Sequence, residues 1–374
     1  MLDLHDSTES PAKVALRTVT FEDPVSRIIL KVLGFAQRRL LWLLLCGYAV
    51  AWLFPGPGVR LRDVSAGSLP WWSGGRVDLS VPLLLLAFLL ANAGFSARAQ
   101  ELKHLTRHLR LLLLGLLAST LLPVIFALVV ALLTAPLHDD ALQGILVGLA
   151  LIGSMPVAGS STAWAQNAGG NLVLSLGLVS ISTLVSPLLA PLDLHLVAYM
   201  ARGDYAEDLH ELASQGSSGF LVVAVVVPSL LGVLVRAVLE PKAREALAPT
   251  LKLLNLIALL VLNYSNAASA LPQAFNHPDW ALLVISIVTT SSLCVAGFGG
   301  AWLIARAMGA GVAERLSLMF GVGMSNNGTG LVLASTALPD HPEAILPIIF
   351  YNLVQQIMAG IVDARSRRRD DRLV

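Results

Sequence analysis

The stretch GVGMSNNGTGLVL, residues 321–333, decides the fold, because it places polar side chains inside one of the most apolar parts of the chain. Those side chains are Ser325, Asn326, Asn327 and Thr329. Lipid would demand Leu or Val at such positions, since a polar group left unsatisfied in hydrocarbon is costly. The stretch therefore predicts a break in a membrane-spanning helix, at a place where protein or a wet cavity replaces lipid.

The composition is that of an integral membrane protein. Of the 374 residues, 56% are hydrophobic and only 13% are charged, whereas an ordinary soluble domain has about 25% charged residues. Apolar runs of about 20 residues, the length that crosses a bilayer, recur along the whole chain. The formal net charge of +1 gives no general attraction to nucleic acid, so the lipid bilayer is an expected partner and nucleic acid is not.

Ten segments are predicted to span the membrane, and the fourth and ninth contain a break. They cover roughly residues 39–56, 78–95, 109–135, 141–168, 171–200, 218–239, 248–271, 279–308, 312–338 and 343–363. Cytoplasmic loops carry most Lys and Arg. With this division, the basic residues on the opposite side are Arg60, Arg62, Arg76 and Arg202, out of 25 in the chain. The asymmetry predicts a multi-pass protein of the plasma (inner) membrane with both termini in the cytoplasm.

The fourth span carries a second polar interruption, GSMPVAGSSTAWAQN, residues 153–167. Aligning the two interruptions pairs Met155 with Met324 and Gly159 with Gly328. Each interruption lies in the fourth of five spans in its half, and an odd number of spans inverts one half relative to the other. Inverted repeats with matching broken helices are typical of secondary transporters that bind substrate near the bilayer midplane. For a single such run, a packing face of small residues is the alternative.

The predicted organisation has four parts: a cytoplasmic N-terminal segment, two five-helix repeats and a basic cytoplasmic tail. Within the first part, residues 23–39 are predicted as either a helix in the membrane interface or a solvated tail. The boundaries are 1–38, 39–200, 217–363 and 364–374. A monomer or a weak oligomer is expected.

An enzyme is not expected, because no predicted span supplies a base, a carboxylate pair or a metal cluster at depth. The hydroxyls in Gly159–Ser161 have no His or Asp beside them in the sequence. Neither a metal site nor an organic cofactor is predicted.

Residues 153–192, GSMPVAGSSTAWAQNAGGNLVLSLGLVSISTLVSPLLAPL, resemble the fourth and fifth helices of the sodium/bile acid cotransporter family. GMSNNGTGLVLAS (323–335) and LPIIFYNLVQQIMAG (346–360) are similar to its ninth and tenth helices. The resemblance implies an all-α membrane protein of ten transmembrane helices in two inverted repeats. Discontinuous helices 4 and 9 would cross in a core domain, spans 3 to 5 and 8 to 10. Spans 1, 2, 6 and 7 would form a panel domain.

Small organic anions, bile-acid-like or other carboxylates, are expected to bind between these domains and to be moved by alternating access. The half-helices after each break would aim their N-terminal N–H groups at the midplane, which favours an anion. The resemblance implies that Asn326 and the pair Gln355 and Gln356 face the substrate, with Asn327 beside them. For the glutamines, hydrogen bonding between helices is the alternative. On the panel side, Asn266 is a further candidate.

The family's sodium sites lie behind the crossing, and the resemblance places their ligands on this chain only in part. Ser161 and Ser175 match serine ligands, whereas Thr162 stands for an Asn and Val179 for a Thr. Gly321 stands where the family has a sodium-binding Glu.

Met324 and Ser325 are further candidates to supply oxygens to a cation. Ser119 is another, because it lies in the third span near the position where the family has a sodium-binding Gln. We expect sodium as the coupling ion of a symporter, weakened by the missing carboxylate. A sodium-independent uniporter or exchanger of the same fold is the alternative, and a receptor-like sensor on this scaffold stays open.

Overall fold

The computed structural model describes residues 32–35, 39–70, 76–96, 105–137, 140–276, 279–338 and 341–370. Over these residues the chain is mostly helical, as predicted. Of the segment expected as an interfacial helix, 23–39, all but residues 32–35 and 39 lie outside this description.

The structure describes seven helices of more than four residues in the first half of the chain, two of which are separated by the first predicted break. They are α1 (Leu40–Leu53), α2 (Pro55–Asp63), α3 (Val81–Ser96), α4 (Leu109–Thr134), α5 (Asp140–Ser154), α6 (Ser160–Asn167) and α7 (Leu172–Ala198). Short 3-10 turns, Leu105–His108 and Ala135–Leu137, flank α4.

The second half contains the second predicted break, between α13 and α14. Its helices are α8 (Asp204–Glu211), α9 (Ser217–Leu221), α10 (Val227–Val238), α11 (Pro241–Asn276), α12 (Trp280–Ala307), α13 (Val312–Gly323), α14 (Asn327–Ala337) and α15 (Ile345–Asp370). Two π-helical turns, Leu212–Gly216 and Val222–Val226, join α8, α9 and α10 into one continuous helical segment. A 3-10 turn, Pro342–Ala344, precedes α15.

Six helical segments of the described chain are long and apolar enough to cross a membrane. They are Leu105–Thr134, Leu172–Ala198, Ser217–Val238, Pro241–Pro272, Trp280–Ala307 and Ile345–Ser366. A seventh is counted if the α1–α2 pair, bent by 91°, is one span, and α3 and most of α5 are shorter apolar helices. The protein is therefore a multi-pass helical membrane protein.

A small β-hairpin follows α2 and was not predicted. Strands β1 (Ser65–Pro70) and β2 (Arg76–Ser80) pair antiparallel, with an irregularity between Ser65 and Ser68. Gly67 has a φ of 129° there, a conformation that L side chains rarely adopt. The hairpin connects α2 to α3, so it belongs to a loop rather than to the membrane core.

The helices pack in two groups, which we call the core group (α4 to α7 and α12 to α15) and the panel group (α1, α3, α10 and α11). Within the panel group α3 and α10 approach so closely that glycine is required at their contact. A Cβ on Gly232 would lie 1.9 Å from the Ala91 carbonyl oxygen, and one on Gly94 would lie 2.0 Å from that of Ser229. Small residues at such contacts let helix backbones meet in a membrane.

Both breaks are enclosed by protein rather than by lipid. Every residue from 142 to 158 is buried, as is every residue from 320 to 325. The chain can leave helical geometry there because neighbouring helices cover it. The lipid-facing residues lie elsewhere, on long helices such as α4 and α10, where Leu133 and Leu234 are exposed.

Candidate substrate and cation site

The two breaks meet and satisfy each other's backbone. The Ala158 N–H donates to the Met324 carbonyl at 2.9 Å, and the Asn326 N–H donates to the Pro156 carbonyl at 2.8 Å. Val157 and Ser325 form an isolated antiparallel bridge between these bonds. Two unwound segments thus form a minimal β-ladder in the interior, and this pairing explains how they avoid leaving polar backbone in hydrocarbon.

Side chains from two neighbouring helices complete the pairing. The Ser182 hydroxyl on α7 accepts from the Val157 N–H at 3.1 Å. The Gln355 Oε1 on α15 accepts from the Ser325 N–H at 3.2 Å. The Tyr351 hydroxyl, also on α15, donates to the Gly323 carbonyl at 3.2 Å. Each break is therefore supported by side chains of the helix that follows it in its own half.

Among the predicted substrate residues, Asn327, Gln355 and Asn266 are buried, whereas Asn326 and Gln356 are half-buried. The Asn326 side chain accepts from the Thr329 N–H at 3.4 Å, so it caps α14. The Gln356 Oε1 accepts from the Trp164 indole at 3.2 Å, which is the interhelical hydrogen bond weighed as its alternative.

Asn327 differs from these residues, because neither polar atom of its amide has a hydrogen-bond partner among the described residues. The same holds for the Thr329 Oγ1 and for the Asn266 Nδ2. Buried polar groups normally have partners. Asn327 and Thr329 lie in the first turn of α14, directly after the second break, so their unpaired polar atoms are available to a ligand there.

A buried hydrogen-bond chain runs from the crossing to the panel group, and two of its members were missed in the sequence. Gln355 Nε2 donates to Asn352 Oδ1 at 3.4 Å. The Asn352 Nδ2 donates to Asn263 Oδ1 and to the Tyr48 hydroxyl, both at 3.0 Å. Asn352 lies one helical turn before Gln355, and that i, i+3 spacing is the signal that would have found it. Tyr48 carries no such signal in its own span.

The N-terminus of α6 is exposed where the two breaks cross. Gly159 and Ser160 are exposed, although every residue of the break before them is buried. In the described chain, no side chain caps this end of α6. A Cβ on Gly159 would lie 3.8 Å from the Cβ of Ala93 on α3, so the open end borders the panel group. Sequence reasoning did not single out Ser160 as a substrate residue.

Three predicted cation ligands gather at the first turn of α6 and on α7. The Ser175 hydroxyl donates to Thr162 Oγ1 at 3.2 Å. Ser161 is fully buried, and its hydroxyl has no partner among the described residues. A buried hydroxyl without a partner fits a missing ligand such as a hard cation.

The other three predicted cation ligands already have partners. The carbonyl of Met324 accepts from the Ala158 N–H, and that of Ser325 accepts from the Asn327 N–H. The Ser119 hydroxyl donates to the Leu116 carbonyl of its own helix at 2.9 Å. Among the described residues, no hydrogen bond links these three residues to Ser161, Thr162 or Ser175.

The space beside Gly321 is filled by a leucine. A Cβ on Gly321 would lie 2.5 Å from Cδ1 of Leu178, and one on Gly115 would lie 2.8 Å from its Cδ2. Leu178 belongs to a buried aliphatic cluster whose other members are Leu112, Ala118, Leu174, Ala301, Ala305, Leu318 and Val322. The position that the family resemblance gives to a carboxylate thus faces hydrocarbon. No group of three or more His, Cys, Asp or Glu in the described chain could hold a metal ion.

Multiple membrane helices and two interrupted helices that pair at their breaks are typical of transporters. The chain belongs to the Sodium Bile acid symporter family, whose sequence profile matches residues 83–277. It is 31% identical over 291 residues to the Bacillus subtilis (strain 168) protein YbaS, covering 74% of this chain and 85% of that protein. It is 25% identical over 292 residues to YocS of the same organism, described as an uncharacterized sodium-dependent transporter, covering 76% and 84%. Membership predicts a transporter rather than an enzyme.

Proposed function

We propose that the protein is a secondary transporter of small organic anions that works by alternating access. The observation that carries this proposal is the uncapped N-terminus of α6 at the crossing, where Gly159 and Ser160 are exposed directly after the buried stretch 142–158. A helix N-terminus carries about half a positive charge and presents N–H groups, so it binds an anion without Lys or Arg. Bile-acid-like and other carboxylates are the proposed substrates.

The proposed topology has ten spans in two inverted repeats, residues 39–200 and 217–363, with both termini in the cytoplasm. Helices α1, α3, α4, α5 with α6, and α7 form the first five spans. The second five spans are α9 with α10, α11, α12, α13 with α14, and α15. The division into a core group and a panel group supports relative movement of two bodies, because substrate at Gly159 would lie on their boundary.

Uptake into proteoliposomes tests the transport proposal. We expect the purified protein to move cholate or pantoate across the membrane at a rate well above that of protein-free vesicles. A receptor-like sensor would bind these anions, as measured by thermal shift, without moving them. If neither cholate nor pantoate nor any other carboxylate in a broad screen binds the protein, the proposed substrate class is wrong.

Sodium symport is the first candidate for coupling. The Ser161 hydroxyl, which has no partner among the described residues and lies beside the Thr162 and Ser175 pair, supports it. The description of YocS as a sodium-dependent transporter agrees with it. The three side-chain oxygens are neutral, so only weak sodium binding is expected.

A sodium-independent uniporter or exchanger is the second candidate, and the leucine beside Gly321 favours it. Leu178 occupies the space that a carboxylate at position 321 would need. Thermal stability and uptake, each compared in sodium and in potassium buffer, separate the two candidates. Stabilisation and faster uptake in sodium support symport, whereas equal values in both buffers support the second candidate.

A further inference from the structure

Helix α2 is fixed to the outer end of the panel group. It leaves α1 at 91°. The Gly58 N–H donates to the Tyr264 hydroxyl on α11 at 3.1 Å, and that hydroxyl donates to the Phe54 carbonyl at 2.7 Å. A Cβ on Gly58 would lie 2.6 Å from the Cβ of Ala268, so α2 lies directly on α11. Any movement of the panel group therefore carries α2 with it.

Arg62 reaches from this helix to the core group. Its Nη2 donates to the Ser335 carbonyl at 2.8 Å. Ser335 lies in the last turn of α14, where carbonyls have no partner within the helix and carry the negative end of the helix dipole. The Ser335 hydroxyl shares its proton between the Val332 carbonyl of its own helix, at 3.1 Å, and Asn266 Oδ1 on α11, at 3.4 Å. One residue of the broken helix is thus held by two elements of the panel side.

The charge of Arg62 makes this contact sensitive to an anion. A guanidinium binds a carboxylate through two parallel hydrogen bonds between opposite charges, whereas it makes a single hydrogen bond to the uncharged Ser335 carbonyl. Arg62 is half-buried rather than enclosed, so an ion can approach it. A carboxylate therefore competes effectively with the Ser335 carbonyl for the guanidinium.

We propose that Arg62 is the clamp of the outer gate and selects anions there, by exchanging the Ser335 carbonyl for the carboxylate of an arriving substrate. This rests on the proposed transport function and on the proposed topology. While Arg62 holds Ser335, α14 stays against the panel group on the outer side. When a carboxylate takes the guanidinium, that contact opens, because the ligand binds the open state better than the closed one.

The gate is tested first without any substrate. In protein carrying Cys46→Ser and Cys294→Ala, a Ser335→Cys change places a thiol at a buried position and keeps the backbone carbonyl that Arg62 contacts. A membrane-impermeant maleimide applied from the outer side reports opening. We expect Arg62→Gln to raise the labelling rate roughly tenfold, since one charge-assisted hydrogen bond is lost. Arg62→Lys keeps the charge, so its labelling rate should lie between that of the parent and that of Arg62→Gln.

Arg60 provides the matched control. It lies on the same helix with the same charge but is exposed, so Arg60→Gln should leave the labelling rate unchanged. Size-exclusion profiles in detergent identify any variant that fails to fold. Equal labelling rates for Arg62→Gln and the parent, with both proteins folded, would overturn the clamp.

The anion step is tested by adding pantoate, with neutral pantolactone as its matched control. Pantoate is expected to speed labelling of the parent and to have no effect on Arg62→Gln, whereas pantolactone should change neither rate. A pantoate effect of the same size in both proteins would overturn the role of Arg62 in selecting anions. Absence of any pantoate uptake would count against the transport proposal alone, because the labelling difference between parent and Arg62→Gln needs no transport.

Discussion

The two breaks have related sequences and pair with each other, yet their surroundings differ. The first break, ahead of α6, ends at exposed Gly159 and Ser160, and no described side chain caps the helix that follows. The second break, ahead of α14, is capped by its own Asn326 and is buried on both sides. The first is therefore suited to receive a ligand, and the second to hold the crossing in place. Four experiments test this contrast, in order of decreasing expected effect.

A methyl group added at each break should have opposite consequences. A Cβ on Gly323 would lie 2.2 Å from Cδ2 of the buried Phe298 ring, whereas one on Gly159 would have nothing nearer than 3.8 Å. We expect Gly323→Ala to lower the free energy of unfolding by about 3 kcal/mol, through overpacking, and Gly159→Ala to change it by under about 0.5 kcal/mol. Melting curves in detergent provide the comparison. Similar melting temperatures for both variants would contradict the contrast.

Removal of the supporting amide at the second break should come next in size. Gln355→Leu leaves the buried Ser325 N–H without its acceptor, which costs about 2 kcal/mol. Gln356→Leu is the matched control, because its half-buried amide accepts only from Trp164. Melting temperature is the measurement, and a larger loss for Gln356→Leu would show that the support has been assigned to the wrong residue.

A carboxylate placed at each break should affect transport more at the first break than at the second. Ser160→Asp puts a negative charge at the exposed end of α6, so we expect the KM for an organic anion to rise about tenfold. Asn326→Asp keeps a good N-cap on α14, and we expect a smaller rise in KM there because the second break is buried. Uptake kinetics measure both. An unchanged KM for Ser160→Asp would mean that the anion binds elsewhere.

Removal of the unpartnered hydroxyls should have the smallest effect. Ser161→Ala and Thr329→Val each delete a fully buried oxygen that has no partner among the described residues. In potassium buffer each should raise stability by up to about 1 kcal/mol, because an unsatisfied polar group is removed. If sodium binds Ser161, Ser161→Ala also loses any stabilisation by sodium, whereas Thr329→Val keeps it. Comparison of melting temperatures in the two buffers checks both expectations.

The helical membrane fold and the two breaks were predictable from local sequence. Apolar runs of spanning length and Gly, Pro and small polar residues inside them are local signals, and helices do end at Ser154 and Gly323. The family was recognisable from the same stretches, and the family profile confirms it. The topology, the substrate class and the coupling ion stay predictions.

The site was predicted less well, because exposure depends on what packs against each residue. Asn327, Gln355 and Asn266 were chosen as polar residues within spans, and all three are buried. In contrast, Ser160 was not predicted as a site residue, although it precedes the predicted ligand Ser161, and it is exposed. The spacing of residues in the sequence predicts which face of a helix a residue lies on. It does not predict which other helix packs against that face.

The sequence by itself determined that this chain lies in a membrane, where it breaks, and that no carboxylate stands at Gly321, because composition and residue identity carry those facts. Only the tertiary structure decided that the breaks bond to each other, that Leu178 fills the space beside Gly321, and that Arg62 holds Ser335. These are contacts between residues far apart in the chain. They depend on how helices pack in three dimensions, and no local pattern encodes that packing.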